Sequence, residues 1–318
     1  MRKVVVITGV AGMIGSALLK LYIKKNIIVI GIDNFTLGKK KFIREFIAIK
    51  NFHFFNCDLS KKKLPNRFKK IIHNLNITEI WMLAANSDIN LGIKNPDIDL
   101  KNTFLTTYNT LNNLKPLIDK KTKIIFSSSS AIYGEINGKI NEKTLTLGAR
   151  SNYGVMKHAS ENYISYFSHT LEIQSYIFRF PNVVGKNLTH GVIFDLHKKL
   201  QIKSKYLNVL GNGEQQKPYS HVDEILDCMI FIKNKKFKDK LNHFNIGTND
   251  SGMKVKEIVN MLLQESRSKK HIKYEKNIRG WIGDVPKYQY STNKLNNLGF
   301  VFKLSSKDAV KLAIQNLF

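Results

Sequence analysis

Short runs of apolar residues recur along the first half of the chain, and longer stretches with helical spacing separate them. These strand candidates are rich in Val, Ile and Phe and lack polar alternation: residues 3–8, 27–32, 52–56, 79–84 and 123–127. Continuous apolar runs are typical of strands that are buried on both faces. The regular alternation of strand and helix therefore predicts an α/β fold with a doubly wound parallel sheet.

The regular alternation ends near residue 180. Later strands are predicted at 175–180 and 243–246, whereas the segments around them follow no simple period. We therefore predict a larger sheet domain over residues 1–180, with return segments at about 219–247. A smaller C-terminal α/β lobe is predicted from residues 181–218 and 248–318.

Composition narrows the class of protein. The chain has 318 residues, of which 43% are hydrophobic and 24% are charged, so disordered and fibrous classes are excluded. No apolar run approaches the length of a membrane span, and the run at the start is too short for a signal peptide. Cys57 and Cys228 are too few for a disulfide scaffold or a Cys-rich zinc site. We therefore expect a cytoplasmic protein without a metal site.

The net charge is unusually positive. Lys and Arg number 51 against 24 Asp and Glu, which gives +27. Such a charge occurs in proteins that bind nucleic acids or anionic surfaces. Lysine is spread along the whole chain, however, and is abundant together with Asn and Ile, as drift towards AT-rich codons would produce. We therefore expect a solvated basic surface that attracts anionic small molecules, and no nucleic-acid partner.

A glycine-rich loop follows the first strand directly and opens a helix. Glycines in such a loop allow a tight turn and the close approach of a pyrophosphate, while the helix N-terminus presents free N–H groups. The spacing is G-x-x-G-x-x-G, and strand, loop and helix come in the order that a dinucleotide site needs. The residues predicted to contact the pyrophosphate are Gly9, Gly12, Met13, Ile14 and Gly15.

An aspartate stands at the end of the second predicted strand. Asp33, followed by Asn34, is placed to accept hydrogen bonds from ribose hydroxyls. A carboxylate there would repel a 2′-phosphate. The sequence therefore favours NAD over NADP as the cofactor.

These segments resemble the extended short-chain dehydrogenase/reductase family, in its branch of nucleotide-sugar epimerases and dehydratases. The resemblance covers nearly the whole chain and implies an NAD-binding Rossmann domain with a substrate-binding lobe. It also implies further cofactor contacts after the third and fourth strands and on an inner helix: Asp58, Leu59, Leu83, Ala84, Ala85 and Asn102. In this family, helices equivalent to those around 95–114 and 151–167 form a dimer contact, so we expect a homodimer.

The sequence contains a Y-x-x-x-K pair, Tyr153 and Lys157. On a helix, residues four apart share a face, so the phenol and the ammonium would point the same way. A free tyrosine titrates near pH ~10, and a nearby lysine and a positive nicotinamide ring would lower that pKa. We expect Tyr153 to act as the general base, and Lys157 to tune it and to bind the nicotinamide ribose.

A run of serines ends the fifth predicted strand, where doubly wound sheets bind their ligands. By register with the family motif, four residues before Tyr133, the catalytic serine resembles Ser129, with Ser128 as the alternative. Ser129 and Ser130 are also predicted to contact the substrate. Family dehydratases carry Thr-Asp-Glu at this motif, and decarboxylases a Glu. Because Ser129-Ser130-Ala131 offers no such acid, oxidation and reduction at C4 are favoured over elimination.

Three segments resemble the family's substrate-binding motifs. They nominate Asn182, Lys217 and Arg279 as contacts to a nucleotide diphosphate. Relatives have an arginine at the position of Lys217, and a lysine lacks its bidentate fork. His221 and Asp223 are predicted to be structural, at a strand end and a helix start.

The resulting hypothesis is an NAD-dependent nucleotide-sugar 4-epimerase, with a UDP-hexose as the favoured substrate. A keto-sugar-nucleotide reductase or dehydrogenase remains an alternative, followed by a dehydratase or decarboxylase of the same family. A non-catalytic relative that binds NAD or RNA is the alternative from a different class. The sequence leaves open the sugar and the base, for which guanine, cytosine and thymine stay possible beside uracil.

Overall fold

The structure is a computed structural model that describes residues 3–72, 75–136, 138–146, 148–281 and 283–318. Its strands in chain order are β1 Lys3–Thr8, β2 Ile28–Asp33, β3 Phe52–Asn56, β4 Asn76–Met82, β5 Lys123–Ser129, β6 Lys139–Ile140, β7 Gln174–Phe180, β8 Asn182–Val184, β9 Tyr206–Val209, β10 Gln216–Lys217, β11 Tyr219–His221, β12 Leu241–Asn245, β13 Met253–Lys254, β14 His271–Tyr274 and β15 Gln289–Tyr290.

The α-helices are α1 Met13–Lys24, α2 Asn66–Ile72, α3 Ile89–Lys94, α4 Pro96–Asp99, α5 Thr106–Leu114, α6 Asn152–Leu171, α7 Val192–Gln201, α8 Val222–Lys233, α9 Val255–Ser266, α10 Asn293–Asn297 and α11 Ser306–Gln315. A π-helical turn, Leu100–Leu105, joins α4 to α5. Short 3₁₀ turns lie at Lys40–Phe42, Arg44–Phe46, Lys115–Leu117 and Ser130–Ile132.

Seven strands form one central sheet in the order β12-β7-β5-β4-β1-β2-β3, and all neighbours are parallel. The prediction of a doubly wound α/β sheet is confirmed. The strand order reverses between β1 and β4. From β1 the chain adds β2 and β3 on one side, and from β4 it adds β5, β7 and β12 on the other. A reversal of this kind leaves a crevice at the carboxyl ends of the strands, which is where such sheets bind ligands.

Both faces of the sheet are covered, which explains the continuous apolar runs. Val5 and Ile7 of β1 pack in one core with α1 and α8, whereas Val4 and Val6 pack in a second core with α5 and α6. All four side chains are at most 2% exposed. Alternate residues of a strand point to opposite faces, so burial on both faces makes every position apolar.

A further core lies in the segments that break the regular alternation. It joins residues of α7, α9 and α11 with β8, β9 and β11, for example Leu196, Leu207, Val259 and Val310. These elements come from the ranges 181–218 and 248–318, together with β11. The division into two domains at those boundaries stays a prediction.

The fourth strand ends earlier than predicted. β4 spans Asn76–Met82 instead of 79–84. The N–H groups of Leu83 and Ala84 both donate to the side-chain oxygen of Thr8, at 3.2 Å each. These two residues therefore turn towards the end of β1 instead of continuing the sheet. No helix in the described ranges combines the length and the apolar character needed to cross a membrane.

Candidate active site

A cavity of about 450 Å³ opens at the carboxyl ends of the central strands and extends to the smaller lobe. Most residues nominated from the sequence line it: Gly9, Gly12, Met13, Ile14, Gly15, Asp33, Asn34, Leu59, Leu83, Ala84, Ala85, Asn102, Ser129, Ser130, Tyr153, Lys157, Asn182 and Lys217. Asp58 and Arg279 do not belong to this lining.

The glycine loop passes very close to neighbouring backbone. A Cβ on Gly9 would lie 2.7 Å from the backbone nitrogen of Ala84, and one on Gly15 would lie 2.1 Å from the carbonyl oxygen of Gly9. Gly9 also has a φ of +70°, in the left-handed region. No side chain caps the start of α1 at Gly12, so the first N–H groups of this helix are free of a side-chain partner. The residues that carry them line the cavity. The loop therefore offers an anion site that consists of backbone alone.

Asp33 is fixed at the end of β2 by two backbone donors. The N–H of Ala11 donates to Oδ2 at 2.9 Å, and the N–H of Phe35 donates to Oδ1 at 2.8 Å. Burial raises the pKa of this carboxyl, and the backbone hydrogen bonds act in the opposite direction. Each carboxylate oxygen keeps a lone pair for a ribose hydroxyl. Asn34 is exposed at the cavity edge, and its Oδ1 accepts from the N–H of Thr36 at 3.0 Å.

Asp58 and Leu59 occupy different positions relative to the cavity. Leu59 is buried and lines it, whereas the Oδ1 of Asp58 accepts from the N–H of Ser60 at 2.9 Å. Asn102 lies in the π-helical turn, and its carbonyl oxygen accepts from the N–H of Asn86 at 3.1 Å. This bond ties the segment after β4 to the helix that presents Asn102 to the cavity.

Tyr153 and Lys157 lie one turn apart in the first half of α6, as the spacing predicts. The Nζ of Lys157 is 5.8 Å from the centre of the Tyr153 ring. Burial raises the pKa of the Tyr153 phenol well above its ordinary value, the hydroxyl of Ser129 lowers it through a hydrogen bond, and Asp99 raises it. Desolvation is thus the largest influence on this pKa in the protein without cofactor, and the decrease expected beside a bound nicotinamide ring stays a prediction.

The ammonium of Lys157 is enclosed, with 2% of the residue exposed. It donates to the carbonyl oxygen of Ser127 at 2.5 Å and lies 4.6 Å from the centre of the Phe126 ring. Burial lowers the pKa of Lys157 to about 7, although the carboxylate of Glu161 raises it. Near neutral pH this group is therefore divided between its charged and uncharged forms.

The two candidate serines differ in their partners. The hydroxyl of Ser128 donates to Oε1 of Glu161 at 2.5 Å and is occupied by this contact. The hydroxyl of Ser129 accepts from the N–H of Ala131 at 3.1 Å and also contacts the Tyr153 phenol. The geometry thus favours Ser129 over Ser128 as the residue beside Tyr153.

The predicted substrate contacts lie on both sides of the cavity. Ser130 donates to the hydroxyl of Tyr288 at 3.1 Å, and the side-chain amide of Asn182 donates to the carbonyl oxygen of Pro218 at 3.2 Å. Lys217 forms an ion pair with Asp284, and its Nζ lies 4.8 Å from the centre of the Trp281 ring. An incoming phosphate must therefore share Lys217 with a carboxylate.

Arg279 is bound outside the cavity. Its guanidinium donates to Oε2 of Glu135 and to the carbonyl oxygen of Asp284, both at 2.9 Å. Arg150, which does line the cavity, lies 3.9 Å from the same Glu135 carboxylate. Glu135 therefore lies between two cations at the cavity mouth, an arrangement that no sequence motif indicated. His221 ends β11, and its Nδ1 accepts from the N–H of Asp223 at 3.4 Å at the start of α8, which confirms the predicted positions of both residues, while their structural role stays a prediction.

Within the described residues, no group of three or more His, Cys, Asp or Glu side chains is arranged to bind a metal ion. The residues that sequence reasoning missed are polar groups in or around the cavity: Asp99, Glu135, Glu161, Arg179 and Tyr288. Of these residues, only Arg179 lies in a segment that matched a family motif, the one that nominated Asn182. Glu161 could have been found from its spacing, since an acidic residue four positions after Lys157 shares the helical face of Tyr153 and Lys157.

Comparisons with known proteins agree over nearly the whole chain. A model of the NAD dependent epimerase/dehydratase family matches residues 5–247. A protein of Methanocaldococcus jannaschii, provisionally named a UDP-glucose 4-epimerase, is 27% identical over 316 residues, which cover 98% of this chain and 97% of that protein. The UDP-N-acetyl-alpha-D-glucosaminuronate decarboxylase of Bacillus cytotoxicus is 25% identical over 310 residues, with 94% and 92% covered. The structure of UDP-glucose 4-epimerase with UDP-glucose from Thermotoga maritima matches with a TM-score of 0.83 and 25% identity, and 98% of each chain is covered.

Proposed function

The chain belongs to the NAD dependent epimerase/dehydratase family, and from this premise we propose that it is an NAD-dependent nucleotide-sugar 4-epimerase. The observation that supports the proposal most is the convergence of Ser129, Tyr153 and Lys157 in the cavity that the glycine loop borders. Because the T. maritima relative acts on UDP-glucose, we infer a UDP-hexose as the substrate.

The cavity has the donors and the space that NAD needs. The backbone N–H groups at the start of α1 can bind the pyrophosphate, and the bare Cα of Gly12 lets it approach. Asp33 can accept from the adenosine ribose, and Leu59 and Ala84 provide apolar surface nearby. Lys157 can donate to the nicotinamide ribose with another of the three N–H groups of its ammonium while it keeps the bond to Ser127. These residues fit the cofactor.

The proposed reaction is oxidation at sugar C4 followed by reduction on the other face. NAD held by the glycine loop and Asp33 would supply hydride transfer at C4 in both directions, so no further oxidant or reductant would be consumed. Tyr153 takes the proton of the C4 hydroxyl as the hydride leaves, and gives it back when the hydride returns. Ser129 bridges the phenol and the sugar oxygen, and a charged Lys157 favours the phenolate.

The lining of the cavity supports epimerisation over elimination or decarboxylation. Ser129, Ser130 and Ala131 follow one another where a dehydratase needs an acid and a base, and the neighbour of Ser130 is the neutral Tyr288. Asp99 is near Tyr153 but lies outside the cavity lining. Simple transfer of a proton and a hydride at C4 therefore suits these residues best.

The test is turnover of UDP-sugars by the purified protein. UDP-glucose, UDP-galactose and their N-acetyl forms are incubated with the protein, and the products are separated by chromatography and identified by proton NMR. Interconversion at C4 without net change in NADH is the expected result. Net consumption of NAD(P)H would indicate a reductase, carbon dioxide release from UDP-glucuronate would indicate a decarboxylase, and no conversion of any sugar would contradict the proposal.

Tyr153→Phe provides the matched mechanistic control. It should retain NAD binding and lose turnover by on the order of a hundredfold or more, because only the proton carrier is removed. Tyr176→Phe removes the hydroxyl of another buried tyrosine, which lies in the sheet outside the cavity lining. That variant should retain the wild-type rate.

We further propose that the protein forms a homodimer through α5 and α6. Large apolar side chains are exposed on these helices: Tyr108 at 40%, Val155 at 46% and Tyr166 at 60%. The rings of Tyr108 and Tyr163 lie 4.9 Å apart and extend the aromatic surface across both helices. An exposed surface of this kind is typical of a protein–protein contact. A cytoplasmic location is part of the proposal, since Cys57 and Cys228 are free thiols.

Sedimentation equilibrium tests the dimer. Wild-type protein should sediment at twice the mass of the chain, and Tyr166→Glu should shift it towards the monomer. Tyr206→Glu is the control, because Tyr206 is also exposed, at 44%, but lies on β9 in the smaller lobe. A wild-type monomer at micromolar concentration would contradict the proposal.

A further inference from the structure

A buried carboxylate lies on the same helix as the two catalytic candidates. Tyr153, Lys157 and Glu161 are spaced four residues apart on α6, so they share one face of the helix. Glu161 is only 3% exposed and does not line the cavity. Burying an ionised carboxylate is costly unless it is paired and hydrogen-bonded. Its partners therefore indicate why it is there.

Glu161 receives three hydrogen bonds from two strands. Ser128 of β5 donates to Oε1 at 2.5 Å. Arg179 of β7 donates from Nε to Oε1 at 3.1 Å and from Nη2 to Oε2 at 2.7 Å. The forked contact fixes the orientation of the carboxylate as well as its position. Glu161 thus connects α6 to the ends of two neighbouring strands of the sheet.

The residue that Glu161 contacts on β5 lies between two groups of the active site. Ser127, on one side of Ser128, accepts the hydrogen bond from Lys157 through its carbonyl oxygen, at 2.5 Å. Ser129, on the other side, provides the hydroxyl beside Tyr153. A displacement of β5 along α6 would therefore change the positions of both groups relative to the helix at once. The contact between Ser128 and Glu161 opposes such a displacement.

The network extends beyond Arg179 to the edge of the sheet. Nη1 of Arg179 donates to the hydroxyl of Tyr133 at 2.7 Å, and that hydroxyl donates to Oδ1 of Asn245 at 2.8 Å. Buried ion pairs contribute little net stability compared with apolar residues of the same volume. A fully bonded network of this kind instead selects one geometry over others. Here the network fixes the position of the carboxyl end of β5 relative to α6.

Besides Tyr133, whose pKa the Glu161 charge raises, four titratable groups lie near this carboxylate or act on the catalytic pair. Lys157 and Arg179 are the cations, and the Glu161 charge raises the pKa of each of them. The Nε2 of His243 on β12 lies 3.9 Å from Oε2, but burial lowers its pKa to about 4, so it is neutral near pH 7. Asp99 of α4 raises the pKa of Tyr153.

We propose that Glu161 is a positioning residue of this active site. Its carboxylate fixes Ser127 and Ser129 against α6 through Ser128, and its charge favours the ammonium form of Lys157. The inference depends on the proposed function, because it assigns Glu161 a role in proton transfer by Tyr153. Glu161 does not contact the reacting atoms and acts through its neighbours.

The test compares two carboxylates that each accept several hydrogen bonds from side chains. Glu161→Gln keeps the size of the side chain and removes its charge. Glu79→Gln is the matched control, because Glu79 also accepts from three donors, Tyr22, Trp81 and Lys233, but lies on β4 outside the cavity lining. We expect Glu161→Gln to lower kcat by on the order of tenfold to a hundredfold with KM nearly unchanged. The alkaline limb of its kcat/KM profile should move to lower pH by roughly one unit.

Glu79→Gln should retain the wild-type kcat and pH profile, whatever it does to stability. Ser128→Ala removes a single hydrogen bond of Glu161 without leaving a buried charge unpaired, so it remains informative if Glu161→Gln does not fold. We expect Ser128→Ala to lower kcat severalfold with an unchanged KM. The proposal is overturned if folded Glu161→Gln has the wild-type pH profile, or if Ser128→Ala has the wild-type kcat.

One measurement separates this inference from the proposed function. The ¹³Cε resonance of Lys157, assigned by comparison with Lys157→Arg, is titrated in wild-type protein and in Glu161→Gln. A lower pKa in the variant supports the effect of the Glu161 charge even if no sugar nucleotide is converted, and an unchanged pKa contradicts it. Absence of turnover in the wild type would refute only the proposed function.

Discussion

The ammonium of Lys157 donates a hydrogen bond to the carbonyl oxygen of Ser127, 2.5 Å away, at the carboxyl end of β5. This contact joins the helix of Tyr153 to the strand of Ser129. The lysine has given up most of its hydration to reach this position, and burial accordingly lowers its pKa. Holding the ammonium form here therefore has a cost to the stability of the fold, and perturbed pKa values of this kind are common in active sites.

That cost predicts a pH-dependent difference between wild type and Lys157→Met. The pKa of Lys157 is about 7 in the folded protein and near 10.5 when unperturbed. Between these values the unfolded state binds more protons, so the free energy of unfolding of the wild type rises with pH. Met does not titrate. The stability advantage of Lys157→Met should therefore be largest below pH 7 and should shrink as the pH rises to 9.5.

Urea unfolding at several pH values measures this difference. Lys20→Met, which removes an exposed lysine of α1, controls for the loss of a surface charge. If the gap between wild type and Lys157→Met were constant with pH, the lowered pKa of Lys157 would be refuted.

Gly15→Ala should impair cofactor binding through the backbone of the loop. The added Cβ would lie 2.1 Å from the carbonyl oxygen of Gly9, and backbone cannot yield as a side chain can. We expect NAD affinity to fall by about tenfold or more, together with a loss of stability of about 1–3 kcal/mol, since overpacking moves the loop. Calorimetric titration and thermal unfolding measure the two effects.

Gly148→Ala is the control for Gly15→Ala, because its Cβ would meet only the carbonyl oxygen of Tyr133 at an ordinary 3.5 Å. Gly148→Ala should bind NAD as the wild type does. Wild-type NAD affinity in Gly15→Ala would show that the loop does not bind the pyrophosphate.

Asp33→Asn should weaken NAD binding and reduce the preference over NADP. An amide can accept at only one of the two positions where Ala11 and Phe35 donate, and it carries no charge to repel a phosphate. Losing a charged hydrogen bond of about 1.5–3 kcal/mol raises the Kd for NAD by roughly tenfold to a hundredfold. Titrations with NAD and NADP measure both changes.

Asp58→Asn is the comparison for Asp33→Asn, since Asp58 accepts from Ser60 and lies outside the cavity lining. We expect its Kd for NAD to stay within about threefold of the wild-type value, the range of an uncharged contact change. A large loss would support the sequence-based assignment of Asp58 to the cofactor.

Glu135→Gln should lower KM for a nucleotide diphosphate sugar. Glu135 binds Arg279 and lies near Arg150, and it competes with a phosphate for both. The side chains of Arg279 and Arg150 are 42% and 58% exposed. Solvent screening therefore limits the decrease in KM to a few-fold, and kcat should be unchanged. Glu172→Gln, which breaks an exposed pair with Lys120, should leave KM unchanged. A higher KM in Glu135→Gln would mean that Glu135 supports the loop instead of competing with the substrate.

The doubly wound parallel sheet could be predicted from local patterns, although the order of its strands could not. Continuous apolar runs predicted a sheet buried on both faces, and β1 and β3 have the predicted ends. The glycine loop and the common helical face of Tyr153 and Lys157 could also be predicted, because each depends on residues that are close together in the chain. The spacing on one helix set the common face of Tyr153 and Lys157 before any tertiary contact was known.

Tertiary structure alone decided which polar groups meet and what protonation they favour. Ser128 and Ser129 are adjacent and alike in sequence, and only the position of Glu161, 33 residues away from Ser128, separates their roles. Arg279 matched a motif but is bound by Glu135, 144 residues earlier. Burial raises the pKa of Tyr153, and burial, unlike spacing, is a property of the packed molecule. Local order follows from interactions between chain neighbours, whereas pairing and desolvation depend on contacts that form only when distant segments pack together.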